Sequence, residues 1–542
     1  MHTYLLDFPG REGYCDRPLG AGDKYVRVGI LDILSLPSRH LASTVYHFVM
    51  TKQFASLTPQ AVAVWCRRAG HETFYATYYG VGNPQRRLPS DLDIVFICSY
   101  TQASPLAYAL AKLYRRAGTR AVIGGPHAKS FPTDCLRFFD IVVRDCNQEL
   151  IRDIVAGAVD PGSVISSTTA FDDLPTVEER MPEIRTAAFF FKRWHTFMSS
   201  VPMLASVGCP YTCDFCIDWS NPFRLLSLDR LAADLRYVGE HLPGVMVGFH
   251  DPNFGIKFDQ VLEVIESVPP TARPPYVMES SLSILRGNRM GRLHATNCVG
   301  IAPGVESWID YANKAGVGRE VGLQKVVRVA EHFRQLSEDI PYLQANFMFG
   351  LDSDRGKEPV ELTKQFMLRT PFVWPTLNIP VPFGGTPLHA EYLRNRRILE
   401  AVPFGFYYAP YLVTTLKHYD PVTFYEKLID LLRFSSSPEM LQRRRRSAPN
   451  RLVGRVNWAR TMRTRAEIGI YRKLQDQLRT DHAFREFHEG RRVALPDFYH
   501  HEYERALGPY AELISRDDRR PDLTPYETGR PAPRRELLAV HN

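Results

Sequence analysis

The residues with the clearest chemical meaning are Cys209, Cys213 and Cys216, in the run CPYTCDFC. Three residues separate the first pair and two separate the second. A compact loop with that spacing aims three thiolates at one cubic iron–sulfur cluster. A four-iron cluster takes four ligands and the run supplies three, so the fourth iron is left open for a small molecule. Nine cysteines in 542 positions would produce this spacing by chance about 0.002 times per chain. Zinc is the competing reading of any tight cysteine group. Zinc sites usually take paired C-x2-C units with a fourth Cys or His, and the chain has no second C-x2-C.

Such a loop needs an element to hold it. The apolar segment PMLASVG runs directly into the cysteines and reads as a strand. Five more strand candidates follow: VMVGFHD, PYVMESS, CVGIAPG, LQANFMFGL and TLNIPVP. Helical stretches such as LDRLAADLRYVGEHL and LQKVVRVAEHFRQL lie between them. A run of βα units predicts a full or partial parallel barrel over 196–400.

Upstream, residues 1–160 also alternate, with YVRVGILDIL, HETFYATYYG, DIVFICSYT, RAVIGGP and DIVVRD as strands. In the helix LTPQAVAVWCRRAG, Thr58 is the expected cap, Pro59 opens the helix and Gly70 closes it. This pattern predicts a doubly wound parallel sheet, a fold that binds ligands at the carboxyl ends of its strands. Residues 161–195 show no sustained period and read as a linker with one short strand. Residues 401–520 become aromatic, then helical and basic, and are expected to close the barrel mouth. There Phe404, Phe406, Tyr407, Tyr408 and Tyr411 form either an apolar wall or ordinary core. Arg443 to Arg446 read as a solvated charge run, with an anion site as the alternative. Residues 521–542, rich in Pro and Arg, read as a mobile tail.

The bulk numbers narrow the class. The chain is 44% apolar and 23% charged, ordinary for a soluble globular protein. Its net charge of +8 permits an anionic partner without demanding one. No apolar run approaches the roughly 20 residues that cross a bilayer. The opening MHTYLLDFPGREGYCDRPLG lacks a charged-then-apolar signal pattern, and the remaining cysteines are scattered. A reducing, cytoplasmic location is therefore expected. No RNA-binding module is recognisable, so nucleic acid is not an expected partner.

CPYTCDFC resembles the cluster motif of the radical S-adenosylmethionine (SAM) superfamily, including the aromatic Phe215 before the last cysteine. The resemblance implies that the open iron of a [4Fe–4S] cluster holds the amino and carboxylate groups of SAM. The reduced cluster would then break the sulfonium bond to give a 5′-deoxyadenosyl radical. GFHDPNF is similar to the strand-end motif that contacts the SAM amino group, with Asp251 and Asn253 as its polar residues. His250 beside them could pass protons or simply make a structural hydrogen bond. Glu279 in VMESS ends the next strand, where polar SAM contacts are common. GVES resembles a G-x-E-S stretch and would place Glu306 and Ser307 near SAM. FMFGLD and PFGGTPL resemble late-barrel segments; the second usually reads Pro-Gly-Thr-Pro and here reads Gly384-Gly385-Thr386-Pro387.

Sheet and barrel together resemble the cobalamin-binding subclass of that superfamily, related to its methyltransferases and tetrapyrrole cyclases, over about 400 residues. The sharpest point is IGGPHA, followed by a stretch that the family usually writes Arg-Gly-Glu-x-Glu. Here it reads Arg144-Asp145-Cys146-Asn147-Gln148-Glu149. The implied cobalamin site comprises Gly124, Gly125, Pro126 and His127, with Ser99, Tyr100 and Thr101 bonding the corrin or its nucleotide tail. The D-x-H-x-x-G motif is absent, so no histidine becomes a lower cobalt ligand by that route. The expected reaction is methylation of an unactivated carbon on a small-molecule or natural-product substrate, hydrophobic or anionic, with electrons from a flavodoxin or ferredoxin. Cyclisation, rearrangement or oxidation without methyl transfer is the alternative within this chemistry. A non-catalytic iron–sulfur or corrinoid-binding component is the alternative outside it.

Overall fold

The computed structural model describes residues 25–38, 41–195, 199–309, 315–316 and 319–525. Its first domain is built on six strands: Arg27–Ile33 (β1), Glu72–Tyr78 (β2), Ile94–Ser99 (β3), Arg120–Gly124 (β4), Ile141–Val143 (β5) and Ser163–Ile165 (β6). They form one parallel sheet in the order β2-β1-β3-β4-β5-β6. Helices Leu57–Arg68 and Gln148–Ala156 pack on one face, and helix Ser104–Arg116 on the other. With both faces covered, β3 is buried throughout, which is why its sequence is a continuous apolar run. The strand order reverses between β1 and β3. In a doubly wound sheet the crevice beyond their carboxyl ends is where ligands bind.

Two local expectations change. Ser56, not Thr58, is the residue before helix Leu57–Arg68, and its side chain does not cap the helix. Its hydroxyl donates to the Asp32 carboxylate instead, at 3.1 Å. The segment expected to be a linker supplies β6 and also helix Met181–Ala188, whose Ile184 and Ala188 enter the barrel core. β6 is three half-buried residues, too short to show a period.

The second unit contains Ser200–Met203 (β7), a small antiparallel pair Ser206–Val207 (β8) and Arg224–Leu225 (β9), then Met246–Phe249 (β10), Tyr276–Met278 (β11), Cys298–Ile301 (β12), Gly304–Glu306 (β13), Tyr342–Met348 (β14) and Val373–Asn378 (β15). β7, β10, β11, β12, β14 and β15 are successive parallel neighbours. β12 and β13 both pair with β14. They are therefore two halves of one strand position, broken at Ala302-Pro303, and the six strand candidates fill six positions. The two outer strands carry Pro202 and Pro375 inside them. Proline has no ladder donor and is tolerated at edges, which fits a barrel left open between β7 and β15. Arg180 covers part of that edge. Its guanidinium donates twice to the Pro202 carbonyl, at 3.2 Å, and once to Gln60 Oε1 of the first domain, at 2.9 Å. Along β14, Leu343, Ala345 and Phe347 are buried against the helices, while Tyr342, Gln344, Asn346 and Met348 are half-buried on the other face.

Helices Pro421–Ser435, Pro438–Ser447, Arg451–Thr480, His482–His488 and Asp497–Leu507 make up most of the C-terminal region. Phe404, Phe406, Tyr407 and Tyr411 are core, whereas Tyr408 keeps 41% of its surface. The arginine run divides. Arg443 pairs with Glu439 at 2.9 Å. Arg444 is not solvated: it is buried, donates to the Ser435 carbonyl and hydroxyl, and lies 4.8 Å over the Trp374 ring. Arg445 and Arg446 line a surface groove with Arg465. The expected mobile tail begins as a docked strap. The Asp522 N–H donates to Asp134 of the first domain at 2.7 Å, and Leu523 is buried. Residues 526–542 of that expected tail lie outside the described residues. No described helix is long and apolar enough to cross a membrane.

Candidate active site

β8 and β9 pair as Ser206 with Leu225 and Val207 with Arg224, which closes the cysteine-bearing loop at its base. Gly208 has φ +70, and any side chain there would collide with the Asn221–Pro222 backbone. Both facts restrict the position to glycine. The Cys209 N–H donates to the Asn221 carbonyl at 3.2 Å, and the Cys216 N–H to the Cys213 carbonyl at 3.1 Å. Cys209 and Cys213 are buried and Cys216 is half-buried. PFGGTPL clamps the loop from outside: the Leu388 N–H donates to the Asp214 carbonyl at 3.0 Å, and Trp219 Nε1–H to the Gly385 carbonyl at 2.7 Å. Among the described residues no three His, Cys, Asp or Glu side chains converge on a single ion position. A cubane needs no such point, because each thiolate takes its own iron.

Asn253 follows β10 and is 1% exposed. Its amide N–H₂ donates to Ser281 Oγ at 2.8 Å and lies 3.9 Å from Cys209 Sγ, while its Oδ1 has no partner. A buried carbonyl left unbonded costs about 1–3 kcal/mol, so this oxygen is poised for a donor on a ligand. Asp251 is fully engaged. Its Oδ2 accepts from the Ala205 N–H at 3.1 Å and its Oδ1 from Ser206 Oγ at 2.5 Å. Burial, partly offset by these bonds, pushes its pKa up to about 6. Asp251 thus ties the end of β10 to the strand that launches the cysteine loop. Glu279 is exposed on the rim beyond β11, and its charge reaches Tyr100 of the first domain. Glu306 has φ +64, folds back over Gly304 and is 8% exposed. A left-handed non-glycine residue stores about 1–3 kcal/mol of strain, and such strain clusters at ligand sites. Ser307 beside it is 5% exposed and accepts from the Ile309 N–H at 3.4 Å. His250 keeps accessible surface, yet burial, aided by Arg180, draws its pKa down to about 4.

Near this rim stand the carboxyl ends of β3 and β4. Tyr100, Gly124, Gly125 and Pro126 keep surface at the crevice, while Ser99, Thr101 and His127 are buried beneath it. Gly125 lies directly against Cys98 and Ser99. The Ser99 hydroxyl donates to the Tyr100 carbonyl at 2.9 Å. His127 Nε2 is 2.5 Å from Tyr108 OH, which also donates to Asp134 at 2.5 Å, and His127 Nδ1 is 3.4 Å from Thr101 Oγ1. The Phe404 ring packs on the imidazole at 4.9 Å. His127 therefore joins the first domain to the C-terminal region, and its ring is spent on that contact.

Burial holds the His127 pKa at about 3, against about 6.5 in an unfolded chain. The folded form stays neutral where the unfolded form takes a proton, so this contribution is intact above pH 6.5 and lost as pH falls. His127→Gln should flatten the loss of stability below pH 6.5 by about 1.4 kcal/mol per pH unit. Urea unfolding at pH 5 and pH 7 measures it; an unchanged slope contradicts the assignment.

No protein-family model matches the chain. Among characterised proteins it is similar to bacteriochlorophyllide d C-8(2)-methyltransferase of Chlorobaculum tepidum, with 23% identity over 357 residues, 62% of this chain and 76% of that one. It is also similar to the C-12(1)-methyltransferase of the same organism, with 23% identity over 312 residues, 56% of this chain and 66% of that one. Among solved structures, the radical SAM methyltransferase TsrM from Kitasatospora setae, with tryptophan substrate and a SAM analogue bound, superposes with TM-score 0.52 and 12% identity, over 83% of this chain and 99% of that one. OxsB, a cobalamin-dependent SAM radical enzyme with aqua-cobalamin bound, gives TM-score 0.53 and 12% identity, over 84% of this chain and 73% of that one. The chain has the fold of the cobalamin-binding radical SAM enzymes.

The side chains present fit the cofactors of a radical SAM enzyme. Soft thiolates suit iron, and the unpartnered Asn253 oxygen suits the ammonium of SAM. Beside that reversal, the carboxyl end of β4 presents small residues at Gly124 and Gly125, which leave room for a broad ring. His127 does not reach that crevice, so the Gly-Gly-Pro-His loop offers a corrin its backbone rather than its imidazole. Sequence reading missed Arg180 on the barrel edge, the Tyr108–Asp134 pair behind His127, and Ser206 beneath Asp251. No local pattern marks them: Arg180 bonds Pro202 and Gln60, 22 and 120 positions away, and the Tyr108–Asp134 and Ser206–Asp251 partners are 26 and 45 positions apart.

Proposed function

We propose that this chain cleaves SAM reductively at a [4Fe–4S] cluster on Cys209, Cys213 and Cys216 and, with cobalamin, methylates an unactivated carbon of a small-molecule or natural-product substrate. The observation that carries this reading is the buried, unpartnered Oδ1 of Asn253, a residue whose amide N–H₂ lies 3.9 Å from Cys209 Sγ. When bound, the cluster and SAM supply a radical and the corrin supplies a methyl group. The chain's own residues arrange them. Asn253 receives the ammonium of SAM, strained Glu306 and Ser307 close the far side of the SAM site, and Asp251 fixes the hairpin under the cysteines. Tyr100 and the glycines at the end of β4 floor the corrin side. Methyltransferases among the sequence relatives support transfer over cyclisation. Electrons come from a flavodoxin or ferredoxin, and the enzyme works in the cytoplasm.

The test is anaerobic. Reconstituted protein is mixed with hydroxocobalamin, desalted, reduced and given SAM. Corrin bands that survive desalting, with 5′-deoxyadenosine formed, are the expected result. Loss of the bands sinks the cobalamin assignment, and absence of 5′-deoxyadenosine with an intact cluster sinks the enzyme reading. Asn253→Leu should keep the cluster but weaken SAM binding about 10- to 100-fold, the worth of one hydrogen bond to a charged group. Unchanged affinity for SAM would remove Asn253 from the site.

A further inference from the structure

We propose that Lys129 is a positioning residue that locks the crevice loop of the first domain to the cysteine loop of the barrel, with Asp145 as its second anchor. This rests on the reading of the cysteine loop and crevice as one reaction site. Lys129 lies in helix Pro126–Ser130, directly after the crevice glycines. Its Nζ is 3.2 Å from Asp218 Oδ1 and 3.5 Å from Asp145 Oδ1. The three side chains are only 15%, 22% and 25% exposed, so solvent screens the charges less than on an open surface.

Asp218 stands two residues past Cys216. Its carboxylate accepts from Asn221 Nδ2 and its carbonyl accepts from the Asn221 N–H at 3.0 Å. The Asn221 carbonyl in turn accepts from the Cys209 N–H at 3.2 Å. An unbroken chain of polar contacts therefore runs from the first domain to the backbone of a cluster cysteine. Asp145, just beyond β5, occupies the place where the resembled family usually has glycine. It is held from behind, because Ser166 Oγ donates to its Oδ2 at 3.2 Å and the Ser167 N–H to its carbonyl at 2.8 Å. The departure from the family pattern thus places a carboxylate against Lys129. One cation lies between two anions, so removing it loses two attractions and leaves the carboxylates facing each other. A corrin and a cluster on opposite sides of this junction must keep a fixed separation; a shift of about 1 Å can cost about 100-fold in rate.

The test compares full-length wild type with Lys129→Met, Lys129→Arg and Asp145→Gly, before and after cluster reconstitution. Hydrogen exchange is followed over residues 207–222, with helix Arg451–Thr480 as the internal reference. Lys129→Met should speed exchange of the cysteine loop about fivefold while the reference helix is unchanged. Asp145→Gly should fall between the two, and Lys129→Arg should restore wild-type exchange together with the wild-type KM for SAM in 5′-deoxyadenosine formation. Exchange that is unaltered in Lys129→Met, or equally fast in Lys129→Arg, overturns the lock. If wild type forms no 5′-deoxyadenosine, the proposed function fails, and the exchange arm still decides the lock.

Discussion

Alanine at Cys209, Cys213 or Cys216 is expected to remove the cluster and bring SAM cleavage to background, with the fold otherwise intact. The loop is held at its base by the β8–β9 pair and from outside by Leu388 and Trp219, none of which needs a thiol. Far-ultraviolet circular dichroism should therefore be unchanged while iron content and 5′-deoxyadenosine both disappear. All three positions should behave alike, because a cubane that already leaves one iron open has no spare ligand. A cluster-bearing, active Cys213→Ala protein would show that the loop has another purpose.

Gly384→Ala is the second large effect. The added methyl would collide with the Ser130 carbonyl and press on the Phe131 ring, both in the first domain. A backbone atom cannot rotate away, so the two segments must separate, at about 1–3 kcal/mol. Ser130 ends the helix that follows Gly124 and Gly125, so if the proposed corrin site is correct, cobalamin retention should fall about 5- to 150-fold. The added methyl meets none of the cysteines directly, so iron content should fall less than cobalamin retention, although the neighbouring Gly385 carbonyl holds Trp219 of the cysteine loop. Equilibrium dialysis with hydroxocobalamin, alongside iron analysis, reads both. Undiminished cobalamin binding would mean that the crevice lies elsewhere or that the junction is slack.

The parts that were legible in the sequence are local or periodic. Cysteine spacing, six apolar segments in series and the doubly wound alternation all survive in the structure. So does the G-x-E-S stretch, which proves to be a broken strand ending on strained Glu306. What escaped was long-range. Arg444 sits in a run of four arginines and reads as solvated, but the Trp374 ring and Ser435 bury it. His127 belongs to a cofactor-like motif, yet Tyr108 and Phe404 claim its ring. Residues 161–195 lack a period because a three-residue strand and a two-turn helix are too short to show one. Asp145 looked like a damaged motif and stands as a partner of Lys129. For Arg444, His127 and Asp145 the deciding partners include residues on other elements, where neither propensity nor spacing reports on them.

A four-iron cluster on the three cysteines, with one iron open to SAM, would respond magnetically when SAM binds. Electron paramagnetic resonance of the reconstituted, reduced protein before and after SAM addition tests it most directly. A reduced-cluster signal in wild type that changes shape when SAM is added, with no cluster signal in Cys213→Ala, is the expected result. A wild-type cluster signal indifferent to saturating SAM would contradict it.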